Sequence, residues 1–409
     1  MSELEYVALR EFAVPGGLVG GPFGSKLVST DYVPEGVPVI RGQNLASPGY
    51  FDASEFVFVS EEKVERDLSR NLAEPGDVVF TQRGTLGQVG IVPDAPFPRY
   101  VISQSQMRMR VDRRVAEPRY IYYCFRDPRM VQMIQARAIT TGVPHINLGI
   151  LAELPIPRRP LVEQRRIVEV LGALDDKIAV NERIAQTALE LGTAIYAHRA
   201  SSAPTWRSVS LADAAQWYSG GTPRTTEPAY WNGHIPWISA ISLKSPWIDD
   251  SPRKLTSLGA ANGTRIVPPG TIIFVVRGSS LKEEFRIGIA QCEVAFGQDC
   301  KALVAVDGID HDLLFHAIRH HTADILELVD ETSIGAGRLA TDLIEKLLVR
   351  VPDTPSDATV DALKSLNQSA AAKQRESRTL AELRDTLLPK LISGELRVRD
   401  AEKAVEEAL

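Results

Sequence analysis

The chain has 409 residues, 44% of them hydrophobic and 24% charged, with a formal net charge of −6. At roughly 100–200 residues per domain this length predicts two or three globular domains, and the acidic balance excludes a nucleic-acid binder that works alone by bulk positive charge. Cys124, Cys292 and Cys300 are too few and too far apart for a disulfide framework or a zinc cluster. No apolar run reaches the roughly 18 residues needed to span a bilayer, and the acidic start Met1-Ser-Glu-Leu-Glu-Tyr6 lacks a signal-peptide core. A reducing compartment, the cytoplasm, is the expected location, with no membrane partner.

In chain order, residues 1–158 read as a mixed α+β domain of short β-rich runs bounded by Gly and Pro. Val78-Val-Phe80 has the apolar run of a buried strand, and residues 117–137 read as a helix. Residues 159–202 read as one long helix. Between 161 and 199 there is no Pro, and Ile167, Leu171, Leu174, Ile178, Ala185 and Ala188 form a stripe at steps of three and four. A second α+β domain is expected over 203–352, with a buried strand at Ile272–Val276, a helix over 310–329, and Trp231, Trp237 and Trp247 in its core. On that helix His316 and His320 share a face, which is expected to be solvated rather than metal-binding. Residues 353–398 carry a similar stripe, with Leu363, Leu366, Ala370, Leu380, Leu383 and Leu387; the helix is expected to stop near Pro389, and 399–409 to be a flexible tail. Two single-striped helices in one chain bury their stripes by packing on each other, antiparallel where the chain folds back.

The chain is also built twice. Gly76-Asp-Val-Val-Phe-Thr-Gln-Arg-Gly84 matches Gly270-Thr-Ile-Ile-Phe-Val-Val-Arg-Gly278 at an offset of 194, and Ile102-Ser-Gln104 matches Phe296-Gly-Gln298 at the same offset. Pro38-Val-Ile40 matches Pro236-Trp-Ile238 at 198, and the stripe at 167–174 recurs at 359–366. Four matches in one order indicate a tandem duplication with small loop insertions.

These features resemble the specificity subunits of type I restriction–modification systems. The resemblance covers the chain to about residue 398. It rests on Gly21-Pro-Phe-Gly-Ser-Lys26, Val39-Ile-Arg-Gly-Gln-Asn-Leu45, Pro160-Leu-Val-Glu-Gln-Arg-Arg-Ile167, Ser219-Gly-Gly-Thr-Pro223, Tyr230-Trp-Asn-Gly-His-Ile-Pro-Trp-Ile238 and Leu387-Leu-Pro-Lys-Leu-Ile-Ser-Gly-Glu-Leu396. The Leu-x-Glu-Gln of 161–164 has no counterpart near 354–357. The resemblance implies two target-recognition domains separated by two long helices in an antiparallel coiled coil. It implies a chain without chemistry of its own, which reads a bipartite site in double-stranded DNA. Two modification subunits would methylate adenine with S-adenosylmethionine, and restriction subunits would use ATP and Mg. Leu161, Ile167, Leu171, Leu174, Ile178, Leu363, Leu366 and Leu380 would contact those partners.

Base reading needs Arg, Lys, Asn, Gln, Ser or Thr on loops that reach a groove. In the first domain the candidates are Arg41, Gln43 and Asn44 after one strand, Gln82 and Arg83 after another, and Thr141 and His145 on a Gly/Pro loop. In the second they are Ser239, Lys244, Arg277, Ser279, Lys282 and Arg338. Lys26 and Arg224, beside Gly-rich turns, are candidates for phosphate contact. Arg277 repeats Arg83, which suits phosphate or scaffold, whereas Ser239 stands where Arg41 does, and such variation is what base readout predicts. Methyltransferase, P-loop, nucleophile-elbow and zincin motifs are absent from the sequence. The competing readings are a structural adaptor that binds no DNA, which the acidic balance favours, and an enzyme with an unfamiliar site.

Overall fold

The computed structural model describes residues 4–45, 49–140, 142–331, 336–354 and 357–408. The chain divides into two compact units. One comprises Met1–Val180 with Ser377–Leu409, and the other is Asn181–Glu376. Both divisions fall inside the long helices, Leu161–Ser202 and Ala358–Ser393.

In the first unit Val78–Thr81 lies at the centre of a four-stranded antiparallel sheet with Ala13–Gly20, Gln106–Val111 and Val89–Ile91. All four residues of that central strand are buried, because both faces are covered. Val78 and Phe80 face a core shared with the helices, while Val79 faces a smaller core with Ile40, Tyr100 and Ile102. Those three belong to a five-stranded sheet in which Val37–Ile40 pairs in parallel with Tyr100–Ile102. A continuous apolar run is therefore the right signature for this strand.

The second unit repeats this plan. Ile272–Val275 is flanked by Cys300–Ala305 and Ile287–Ala290, and Trp231–Ile238 pairs in parallel with Val294–Phe296. The registers repeat as well: Val79 opposes Arg108 as Ile273 opposes Ala302. Each domain is closed by a strand pair that joins its start to the segment before a long helix, Tyr6–Ala8 with Pro155–Pro157 and Trp206–Ser210 with Leu348–Pro352. Trp231, Trp237 and Trp247 are buried, as expected.

Within each unit the helix halves share one core in the antiparallel sense. In the first, Ile167, Leu171, Leu174 and Ile178 pack in one cluster with Leu380, Leu387, Leu388, Leu391 and Ile392. In the second, Ala185, Ala188, Leu189 and Tyr196 share a cluster with Val360, Leu363, Ala370 and Ala371. Gln164 shows what the Leu-x-Glu-Gln segment does. It is fully buried, donates to Val115 O (3.0 Å) and Arg159 O (2.9 Å), and accepts from Glu117 N (3.0 Å), tying the helix start to its domain.

Several expectations are corrected. The expected single helix at 117–137 is two, Pro118–Arg126 and Pro128–Ala136, because Pro128 has no N–H to continue the first; Asp127 caps the second by accepting from Arg129 N (2.9 Å). The segment 310–329 likewise divides into His311–His320 and Thr322–Glu327. The second long helix runs through Pro389 to Ser393. The supposed tail forms a helix, Val398–Glu406, that buries Val398, Ala401 and Val405 in the first unit's core, while Arg166 Nη2 donates to Glu402 Oε1 at 2.8 Å and Oε2 at 2.9 Å. His316 is not solvated: it is wholly buried, its Nδ1 3.1 Å from Thr193 Oγ1, and its ring occupies the space a Cβ on Gly192 would need.

Candidate nucleic-acid interface

Each domain uses the same backbone frame to present its loops. Gln82 N–H donates to Ser105 C=O (2.7 Å), as Val276 N–H donates to Asp299 C=O (2.9 Å). The next residues, Arg83 and Arg277, donate to the same two carbonyls at 3.4 and 3.3 Å. Ser103 N–H bonds Ile40 C=O (3.1 Å) where Gly297 N–H bonds Ile238 C=O (2.7 Å). The segment before each long helix closes the frame, with Ile146 N–H on Gln82 C=O (3.0 Å) and Leu339 N–H on Val276 C=O (2.9 Å). In each unit these bonds draw together the ends of two buried strands, a turn, and the loop that leads to the long helix.

The frame sets two side chains opposite each other. Arg83 pairs with His145 in an antiparallel bridge, and Arg277 pairs with Arg338 across the strands Arg277–Gly278 and Gly337–Leu339. Arg83, Arg277 and Arg338 are exposed and His145 is half-exposed. Directly opposed residues of an antiparallel pair project on one face, and like charges there repel. Neither Arg277 nor Arg338 has an ion-pair partner among the described residues. Arg338 is opposed on its other side by Asp330, which is also exposed. An anion or an acceptor-rich edge placed over this row would relieve the repulsion.

The other candidates separate clearly. Asn44 is buried, and its amide donates to Asp52 O (2.9 Å) and Glu55 O (3.0 Å) while accepting from Arg41 N (2.8 Å). It holds the loop and has no donor left for adenine, so it is withdrawn as a base reader. Arg41 is half-buried with its Nε shielded and without a hydrogen-bond partner, and exposed Gln43 reaches Glu55 Oε2 at 3.4 Å. Ser239 shares hydrogen bonds with Ser242, whose N–H its hydroxyl accepts at 3.2 Å, so this hydroxyl also serves its own turn. Lys244, Ser279 and Lys282 are exposed, and Gln82 is half-buried beside Arg83. Arg224 is exposed, and its carbonyl accepts from Trp231 Nε1 (3.1 Å). Lys26 is exposed on a turn that Gln104 fixes by donating to Gly24 O and Leu27 O, both at 2.8 Å. Thr141 lies outside the described residues.

The apolar stripe is corrected as a partner surface. Ile167, Leu171, Leu174, Ile178, Leu363 and Leu380 are buried in the unit cores, and Leu161 and Leu366 are half-buried. Among the described residues, the large apolar side chains left exposed on the first long helix are Val162 and Val180 in the first unit and, in the second, Ile184 and Leu191, two turns apart on one face by the 3.6-residue repeat. The stripe was legible in the sequence; its use was misassigned, because a period identifies a buried face without saying what covers it. The alternation Gln106-Met-Arg-Met-Arg-Val111 sets Arg108 and Arg110 on the face opposite the buried methionines, and Arg108 is nonetheless only 7% exposed.

No helix among the described residues is long and apolar enough to cross a membrane, and these residues contain no cluster that could hold a metal.

Residues 23–190 match the family model described as type I restriction modification DNA specificity domain. The chain is 23% identical to the MjaIX type I specificity subunit of Methanocaldococcus jannaschii, covering 94% of this chain and 92% of the relative. It is 27% identical over 150 residues to the EcoR124I/EcoR124II specificity subunit of Escherichia coli, a match of 36% of this chain and 37% of that protein. A crystal structure of the type I restriction–modification S subunit from M. genitalium shares the fold, with a TM-score of 0.59 at 17% identity over 96% of this chain and 97% of that one.

Proposed function

We propose that the chain reads a bipartite DNA target, one half-site per domain; its similarity to the DNA specificity domain over residues 23–190 and to a type I specificity subunit over 94% of its length supports this reading. The observation that carries this reading is the duplicated frame with a different residue at one register position. His145 opposes Arg83 in the first domain, and Arg338 opposes Arg277 in the second. A residue repeated in both halves suits the phosphate backbone, which is the same at every sequence. A residue that changes between the halves suits a base edge. Arg338 is matched to the O6 and N7 acceptors of guanine, and these acceptors also relieve its repulsion with Arg277.

The chemistry then lies with partners: two modification subunits that methylate adenine using S-adenosylmethionine, and restriction subunits that use ATP and Mg. The exposed face carrying Ile184 and Leu191 in the second unit is the surface offered to the modification subunits. A chain of net charge −6 neutralises few phosphates by itself, so affinity is weak alone and strong in the complex.

Co-expression with type I modification subunits, followed by mapping of methylated adenines in host DNA, tests the reading. A two-part motif that depends on this chain, with one part relaxed by Arg338→Ala, supports it. Methylation indifferent to the chain, with no salt-dependent DNA affinity in the complex, would overturn it in favour of an adaptor that binds no DNA.

A further inference from the structure

The first unit contains a cleft of about 790 Å³ between the strand Ala13–Gly20 and the turn Ser69–Asn71. Asn71 holds its two sides together by donating to Gly20 O at 2.7 Å. Four cations line it, Lys26, Arg66, Arg70 and Arg108, against a single carboxylate, Asp67. Arg66 is engaged by Asp67 and by Glu62. Lys26 and Arg70 are exposed and have no ion-pair partner among the described residues.

The decisive residue is Arg108 on the wall of the cleft. It is only 7% exposed. Its Nη1 donates to Gly17 O at 3.2 Å, but its Nε has no hydrogen-bond partner. The nearest carboxylate, Asp77, lies 3.8 Å from that Nε and already accepts from Arg110 with both oxygens, at 3.0 and 2.9 Å. A buried guanidinium left this short of acceptors is costly unless another anion completes it. Where the duplicated domain has the same ladder position, the residue is Ala302, fully buried. The arginine is therefore not required by the shared framework; it is peculiar to the first unit.

We propose that this cleft is a phosphate-binding site, in which Arg108 takes a phosphoryl oxygen from within while Lys26 and Arg70 close on it from the rim. Guanidinium groups match phosphate oxygens in fork geometry, and a rim lysine adds a point charge. The phosphate belongs either to a DNA strand passing the first domain or to a free phosphate compound. The first of these rests on the DNA-binding reading proposed above; the second does not.

The full chain is titrated with inorganic pyrophosphate while its unfolding temperature is followed. In parallel, DNA affinity of the complex with modification subunits is measured against salt. Arg70→Ala and Lys26→Ala alter exposed residues and leave the fold intact, whereas Arg108→Met tests the buried group and must retain the wild-type circular dichroism to be read. A rise in unfolding temperature with pyrophosphate, reduced by each variant, establishes a free-phosphate site. No rise, but a salt slope lowered by about one for each cation removed, assigns the site to the DNA backbone. No rise and an unchanged slope would overturn the proposal.

Discussion

Arg384 Nη1 donates to Asp175 Oδ1 at 2.7 Å, joining the two long helices inside the first unit with both side chains at most 10% exposed. Asp175 Oδ2 accepts from Tyr123 Oη, also at 2.7 Å, so the carboxylate is held by a long helix on one side and by the first α+β domain on the other. Apolar stripes of similar residues can slide by a turn; a buried ion pair fixes one register. Arg384→Met is expected to destabilise the first unit by about 3–5 kcal/mol, because it leaves the buried Asp175 carboxyl without its partner. Adding Asp175→Asn should recover much of that loss. Chemical denaturation of the two single variants and the double variant measures the coupling; additive effects would show that the pair does not act as a unit.

Exchange of the register residue gives a second expectation. His145→Arg in the first domain recreates the pair seen at Arg277 and Arg338. It should shift the preference of the first half-site towards guanine and leave the second half-site unchanged. Arg338→Ala should cost about 1–3 kcal/mol of discrimination in the second half-site alone. Arg83→Ala should instead weaken binding to all sequences alike. Selection of bound duplexes from a randomised library reads all three.

Ile184→Asp with Leu191→Asp places charges on the exposed helical face. Both side chains already meet water, so the unfolding temperature should change little. Co-purification with modification subunits should be lost. Retention of the partner with an unchanged affinity would move the docking surface elsewhere.

His316 makes the second unit acid-sensitive. Burial, helped by nearby Arg319, pushes its imidazole down to about 4. The folded state thus resists a proton that the unfolded chain accepts near 6.5. Stability from the neutral ring is full above about 6.5 and falls away as the pH drops towards 4, by roughly 3 kcal/mol in all. Asp312, pushed up chiefly by burial, acts in the opposite sense, since its contribution is greatest below the usual carboxylate range and is lost as the pH rises. His316→Gln isolates the first effect: the slope of stability between pH 6.5 and 4 should flatten. Gly192→Ala, which in an open helix would stabilise by up to about 1 kcal/mol, should destabilise here, because its Cβ would clash with the His316 ring.

Periodicity made the long helices, the buried central strands and the duplication legible from residues alone. The same signal was present in Val398, Ala401 and Val405, at steps of three and four, but over so short a span that it resembled a tail. Pro128 marked the helix break as plainly as any residue can, and was outweighed by the apolar pattern on either side. Side-chain use was harder to read. Asn44 has the chemistry of an adenine reader, yet a loop that must satisfy its own carbonyls claims the amide first. Arg277 and Arg338 lie far apart in sequence, and only the pairing of their strands sets them face to face.

The division of the chain carries a consequence for its synthesis. The second unit is one continuous stretch, whereas the first is completed by Ser377–Leu409. The domain made first on the ribosome is therefore the last to close. Until the C-terminal helices emerge, Ile167, Leu171, Leu174 and Ile178 lack Leu380, Leu387, Leu388, Leu391 and Ile392, which complete their core. A premature stop anywhere downstream would harm the beginning of the protein as surely as its end. A fragment ending near Ala200 could cover its bare stripe only by finding another copy of itself.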